Sequence, residues 1–382
     1  MHLDQLLLAL FVLLTVVGLA VALSSRLGLG SVLGLLVAGL VVGPSGFAIT
    51  QRVTDLRHLS ELGIVLLLFI IGLEMQPEKL WSLRRVVFGL GSLQVLVTGL
   101  ALAAYAALTI ESWQGALILG FGFALSSTAF GVQILQERND MATEYGATAF
   151  GILLFQDIAV VPLLALIPLL SDQVDVERAS FLVRLVRVVV AMSGVVLFGR
   201  FVAPWVFERT ARRADTQVFS TVVFIGVIGA ALAMELSGLS MALGSFVMGM
   251  LLSGSPYRAE IESVVEPFKR MMLSLFFVSV GMAIDLGVVA AEGPRLAAHM
   301  AVLMAIKAAL LLALSRWFGV SRTAALRVAL LLAQCGEFGF VLFGAAMAAG
   351  LMTDYGFVST ALLISMSMAA TPLLVRLSDR LA

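Results

Sequence analysis

The chain is a succession of long apolar runs separated by short clusters of charge, Gly or Pro. Runs of about 17 to 25 residues have the length of a membrane-crossing helix. Read this way, the chain predicts thirteen helices, near 4–24, 30–46, 56–74, 81–108, 113–137, 143–170, 180–206, 216–236, 238–254, 266–285, 295–317, 322–349 and 356–377. An odd number puts the two ends on opposite sides. Loops and helix ends on one side hold 16 of the 24 Lys and Arg residues, among them Arg84, Arg85, Arg209, Arg316 and Arg380. The longest loop on the other side, SDQVDVER, is acidic. Basic loops stay in the cytoplasm, so the N-terminus is expected outside and the C-terminus inside. The opening MHLDQ has no basic region and no small-residue cleavage site, which predicts a retained first span rather than a signal peptide.

The runs repeat. GLGSVLGLLVAGLVVGPSGF at 28–47 aligns without gaps on GLSMALGSFVMGMLLSGSPY at 238–257, pairing Gly34 with Gly244, Gly39 with Gly249 and Ser45 with Ser255. LLLFIIGLEM at 66–75 resembles LSLFFVSVGM at 273–282, and the polar LSST at 125–128 falls opposite CGEF at 335–338. Seven helices separate the copies, so the second is flipped in the membrane. This is the inverted repeat from which many secondary transporters are built, here about 28–170 and 238–380.

Composition agrees with a membrane protein and removes several function classes. Hydrophobic residues make up 61% and charged residues 13%, well away from a soluble domain. Net charge is zero and no basic block exceeds a pair, so nothing points to nucleic acid or polybasic lipid binding. The lone Cys335 excludes an internal disulfide and any multi-cysteine metal site, and His2, His58 and His299 lack ligand spacing. No bound cofactor is expected, only transported ions.

Candidate chemistry lies where polar groups interrupt the apolar runs. Asp157 sits inside AFGILLFQDIAVVPLLALIPLL, preceded by Gln156. A carboxylate in the hydrocarbon region costs about 2.5–3.5 kcal/mol or more, which marks it as functional by default. Burial disfavours an ionised acid and a nearby cation favours it, so one such group can exchange a proton for a metal ion. Inverted-repeat transporters place that exchange between interrupted helices near the membrane centre. Ser126, Ser127 and Thr128 lie mid-span between glycines, and Gln334, Gly336, Glu337 and Gly339 occupy the matching place in the second copy. Both stretches are expected to break. Hydroxyls, amides and freed carbonyls suit a monovalent cation or a hydronium, although the Ser-Ser-Thr triplet also fits simple helix packing. Lys307, the one lysine deep in a span, is a natural partner or competitor for Asp157. Glu337 is either protonated, paired with Lys307 or part of the ion path. The segment SGSPYRAEIESVVEPFKR at 253–270, carrying Arg258, Glu262 and Glu266, reads as a cytoplasmic loop, either an ordinary solvated turn or a regulatory surface.

Together these segments resemble a known family. RLGLGSVLGLLVAGLVVGPSG, FIIGLEMQPEKLWSLR, FALSSTAFG, ILLFQDIAVVPLLALIPLL, YRAEIESVVEPFKR with LFFVSVGMAIDLG, and CGEFGFVLFGAA occur in the order found in Kef-type potassium efflux systems. Those belong to the second monovalent cation:proton antiporter family of bacteria. The resemblance implies a thirteen-helix homodimer of the inner membrane with two crossed broken helices, LSST on one and CGEF on the other. It also implies potassium efflux in exchange for protons, with Asp157 as carrier and Lys307 as the family's membrane lysine. Such proteins usually continue into a cytoplasmic nucleotide-binding regulatory domain, whose Gly-rich fingerprint is missing here. The expectation is therefore one transmembrane exchanger domain over 1–382. Where some relatives have an acid in the cytoplasmic loop, this chain has Val264, which puts autoinhibition by the loop in doubt.

The sequence reading is thus an all-α polytopic secondary transporter exchanging a monovalent cation, K+ first and Na+ as the alternative, for H+. With Gln156 in place of a second acid, one-for-one exchange is expected. A ligand-gated K+ channel is the rival, although no TVGYG-like filter is present. An intramembrane enzyme would need a nucleophile with a base or a metal pair, and no histidine accompanies Cys335 within its span.

Overall fold

The computed structural model describes residues 3–26, 30–47, 53–75, 81–170, 178–212, 216–237, 240–282, 284 and 286–381. Among these the regular structure is helical and no strand occurs. In chain order the helices are α1 (Leu3–Arg26), α2 (Gly30–Val42), α3 (Val53–Glu74), a π-helical turn (Arg85–Gly91) running into α4 (Ser92–Ala106), α5 (Trp113–Ala124), α6 (Thr128–Glu137) and α7 (Glu144–Leu170). They continue with α8 (Arg178–Leu197), a second π turn (Phe198–Val202), α9 (Ala203–Arg212), α10 (Thr216–Leu236), α11 (Met241–Leu252) and α12 (Arg258–Met282). The last four are α13 (Leu286–Trp317), α14 (Arg322–Leu332), α15 (Phe338–Ala348) and α16 (Asp354–Leu381).

Among the described residues, seven helical stretches are long and apolar enough to cross a membrane, and five shorter apolar helices accompany them. Large side chains such as Phe11, Leu14, Leu19 and Phe201 lie exposed on these helices, a surface suited to lipid. Hydroxyl caps set several starts. Ser112, Ser127, Ser240 and Ser321 each accept a hydrogen bond from the backbone N–H three residues on, satisfying a donor that the helix itself leaves open.

The chain clusters into two units. The first comprises 1–54, 83–160 and 277–382, and its core gathers Leu90, Leu135, Ile152, Leu153, Leu311, Ala325, Val328, Leu332 and Val375 from the first π turn, α6, α7, α13, α14 and α16. The second comprises 55–82 and 161–276.

Glycines bring helices into close contact within each unit, and two of these pairs involve matching segments of the two repeats. In the first unit α2 lies against the end of α12: a β-carbon on Gly39 would fall 2.1 Å from the Val278 carbonyl oxygen, and one on Gly281 would fall 2.2 Å from that of Leu36. In the second unit α11 lies against α3: a β-carbon on Gly249 would fall 2.0 Å from the Phe69 oxygen, and one on Gly72 would fall 2.3 Å from that of Phe246. The leading helix of each repeat therefore pairs with the second helix of the other repeat.

Only 253–257 of the segment 253–270 form a turn. From Arg258 it is the start of α12, held by Arg258–Glu262 at 3.9 Å, Glu266–Lys269 at 2.6 Å and Glu266–Arg270 at 2.9 Å. Oppositely charged residues three and four positions apart support a helix that Pro267 alone would argue against. The acidic segment 171–177, Asp285, Gly28 and Gly238 lie outside the described residues, as do the side chains of Arg184 and Arg187.

Candidate functional site: two broken helices and a buried acid

Both stretches expected to break are broken. α5 stops at Ala124, Leu125 and Ser127 are extended (φ −76°, ψ 144° and φ −72°, ψ 113°), and α6 starts at Thr128. In the second copy α14 stops at Leu332, and α15 starts at Phe338. An interrupted helix exposes buried N–H and C=O groups that must be satisfied within the protein. Here each break satisfies the other. Gly336 N–H donates to the Leu125 carbonyl at 3.0 Å, and Ser126 Oγ donates to the Leu332 carbonyl at 2.8 Å. The Gln334 amide accepts from Ser127 N–H at 3.2 Å and donates to the Ser127 carbonyl at 3.4 Å. The backbones cross so closely that a β-carbon on Gly336 would lie 2.4 Å from the Ser126 carbonyl carbon.

Gln156 and Asp157, adjacent on α7, divide their work along the first break. Gln156 is fully buried; its Oε1 accepts from Ser126 N–H at 2.7 Å and its Nε2 donates to Gln94 Oε1 at 2.8 Å. Gln94 in turn donates to the Ala124 carbonyl at 3.2 Å. These amides hold the unwound backbone in place. One residue on, Asp157 is 7% exposed and accepts a 2.7 Å hydrogen bond from Thr128 Oγ1 at the first turn of α6. A helix N-terminus carries unsatisfied donors and about half a positive charge, a setting that suits a carboxylate. The carboxylate, the Thr128 hydroxyl and backbone oxygens of the break are hard donors, appropriate to a proton or an alkali cation.

Lys307 meets backbone instead of a carboxylate. It is 1% exposed, and its ammonium donates to the carbonyls of Phe123 at 3.0 Å, Leu125 at 2.8 Å and Gln334 at 2.8 Å. Those oxygens belong to the C-terminal ends of the interrupted α5 and α14, where helix dipoles are negative, so one buried cation serves both. Glu337 lies at the other pole. It is 8% exposed, immediately precedes α15 and sits beside the Ser127 side chain and the backbone amide of Ala129 in α6.

The crossing therefore brings together Ser126, Ser127, Thr128, Gln156, Asp157, Lys307 and Glu337, all within the first unit. Arg258, Glu262 and Glu266 belong to the second unit. Gln94 is the contributor that pattern reading missed, although a lone amide in the apolar run GSLQVLVTG was the available signal.

The architecture has known counterparts. The solved structure of the sodium proton antiporter MjNhaP1 from Methanocaldococcus jannaschii has a similar fold, with a TM-score of 0.68 over 99% of this chain and 99% of that one, at 16% sequence identity. The all-helical membrane fold, its broken helices and the match of residues 11–376 to the transmembrane sodium/hydrogen exchanger family lead to one conclusion: this chain belongs to that family of multi-pass cation:proton antiporters.

Proposed function

We propose that the protein is a secondary active transporter that expels K+ in exchange for H+ across a bacterial inner membrane. Asp157 is the carrier: it holds a proton or a partly dehydrated cation, never both, as access alternates between the two sides. The observation that carries this reading is the Thr128–Asp157 hydrogen bond at a helix terminus buried in a membrane-embedded crossing. Gln156, Ser126 and Ser127 keep that terminus open, and Lys307 stabilises the opposite helix ends. The protein works as a homodimer with its N-terminus outside and C-terminus in the cytoplasm, and needs no cofactor beyond the transported ions. Arg258, Glu262 and Glu266 form a cytoplasmic surface on which a nucleotide-binding regulatory domain would act. Na+ in place of K+ is the second reading, supported by the family and by the sodium proton antiporter of similar fold.

Proton flux in sealed proteoliposomes tests both. Adding K+ or Na+ outside should drive proton movement in the wild type and none in Asp157→Asn. Because cation and proton compete, apparent cation affinity should weaken as pH falls. Cation flux that needs no proton and survives in Asp157→Asn would replace the exchanger with a channel.

A further inference from the structure

A cavity of about 420 Å³ lies wholly within the first unit, among α4, α5, α13 and α16. That volume falls in the range of sites that hold small organic ligands. Neither Asp157 nor Glu337 lines it. Its mouth is at the C-terminal end of α4 and the N-terminal ends of α5, α13 and α16. From Glu292 to Leu303, α13 lines the cavity for about 16 Å, roughly half of a hydrocarbon core about 30 Å thick.

The lining is layered. Leu119, Phe123, Leu303 and Leu363, all buried, form the inner end. One turn of α13 nearer the mouth, Tyr105 Oη and His299 Nδ1 share a 2.6 Å hydrogen bond that joins α4 to α13. At the mouth stand Glu292 and the exposed Arg295, three positions apart on α13 and therefore on one face, with Tyr355 of α16 beside Glu292.

An apolar inner end under a polar mouth suits an amphiphile with its chain inward, and the helix ends at the mouth lie at the level of lipid headgroups. The charges select among heads. A singly charged head is attracted by one of Glu292 and Arg295 and repelled by the other, whereas a phosphate next to an ammonium is complementary to both. The phosphate accepts from the Arg295 guanidinium. A primary ammonium brings N–H donors to the Glu292 carboxylate that a quaternary one lacks. The Tyr105–His299 pair stands between head and chain, where a glycerolipid carries its esters.

We infer that this cavity binds a phosphatidylethanolamine-type lipid, with one acyl chain directed toward Phe123 and the head between Glu292 and Arg295. The position ties it to the crossing. Phe123 gives its carbonyl to Lys307, and Leu303 lies one turn before Lys307 on α13, so the chain fills space between the two helices that Lys307 joins. The lipid braces α5 against α13, and this role does not depend on Asp157 as carrier.

The test uses purified protein stripped of lipid by extended detergent washing. Phosphatidylethanolamine, phosphatidylglycerol and phosphatidylcholine with identical chains are added back, and both the apparent melting temperature and the lipid retained in native mass spectrometry are measured. The ethanolamine lipid should raise the wild-type melting temperature saturably at about one lipid per polypeptide, and the other two far less. Arg295→Gln and Glu292→Gln should each shift half-saturation by about 10-fold or more, since each loses a charged contact to the head. Gly115→Leu, at a lining position where a β-carbon would meet its nearest neighbours only at 3.6–3.7 Å, should occupy the cavity and abolish the response. Equal responses to all three lipids, unchanged in the variants, would mean ordinary surrounding lipid and overturn the inference. A response that survives Gly115→Leu overturns the placement of the chain in the cavity. Phosphoethanolamine without acyl chains acting as strongly as the lipid would make this a site for a water-soluble zwitterion and equally overturn it. If Gly115→Leu elutes as aggregate, Leu119→Phe decides by the same measurement.

Discussion

Replacing Lys307 with methionine tests whether one buried cation holds both interrupted helices. Its three bonds, at 2.8 to 3.0 Å, run from a charged donor to neutral carbonyls. Each is worth about 1.5–3 kcal/mol, so their combined loss is about 4.5–9 kcal/mol. Methionine also removes the desolvation penalty of a buried ammonium, about several kcal/mol, which offsets part of that loss. The balance is destabilising by about 2–4 kcal/mol, because methionine fills the volume but leaves three buried oxygens without a donor. At about 2 °C per kcal/mol, the apparent melting temperature should fall by about 4–8 °C. The assay is thermal unfolding of purified detergent-solubilised protein at one fixed scan rate, since unfolding of such proteins is a kinetic measurement. Lys307→Met melting together with the wild type would refute the assignment of Lys307 as the keystone of the crossing.

Four further substitutions separate the parts of the site. Gly336→Ala drives a methyl into the Ser126 backbone, which cannot rotate away, and should cost about 3 kcal/mol, seen as a lower melting temperature with impaired transport. Thr128→Val removes the donor to Asp157 and should slow exchange about 10-fold or more in proteoliposomes, whereas Thr128→Ser should retain most of it. Gln94→Leu leaves the Ala124 carbonyl and the Gln156 amide short of partners, and about 1–3 kcal/mol of stability should be lost. As a control, Asp379→Asn breaks the half-exposed pair with Arg138 and should change stability by less than about 1 kcal/mol, leaving transport intact.

Much of this architecture is legible in the sequence because membrane helices announce themselves by length and apolarity. Asp157 stood out because a lone acid in an apolar run has no cheap explanation, and both breaks were visible as hydroxyls or glycines at mid-span. Contacts were harder to read. Lys307 invited pairing with a carboxylate, the usual partner of a buried ammonium, but two helix C-termini offered three carbonyls at one point. No one-dimensional pattern records that two breaks coincide in space. The charge density of the segment 253–270 reads as a loop, yet from Arg258 onward those same charges at spacings of three and four stabilise a helix. Gln94 was overlooked because an isolated amide carries no periodic signal; its role exists only once Gln156 stands opposite.

The reciprocal glycine pairing also sets a schedule for biogenesis. α2 emerges early, but the surface that fits its Gly39 lies at Val278–Met282. About 240 residues must still be made, which at 5–20 residues per second takes roughly 10–50 s. During that wait a stripe of small residues faces lipid or the insertion machinery without its mate. Assembly of the first unit therefore cannot track synthesis helix by helix. It is deferred until the second repeat arrives, and a ribosome stalled between the repeats would leave a chain that is inserted but unable to close.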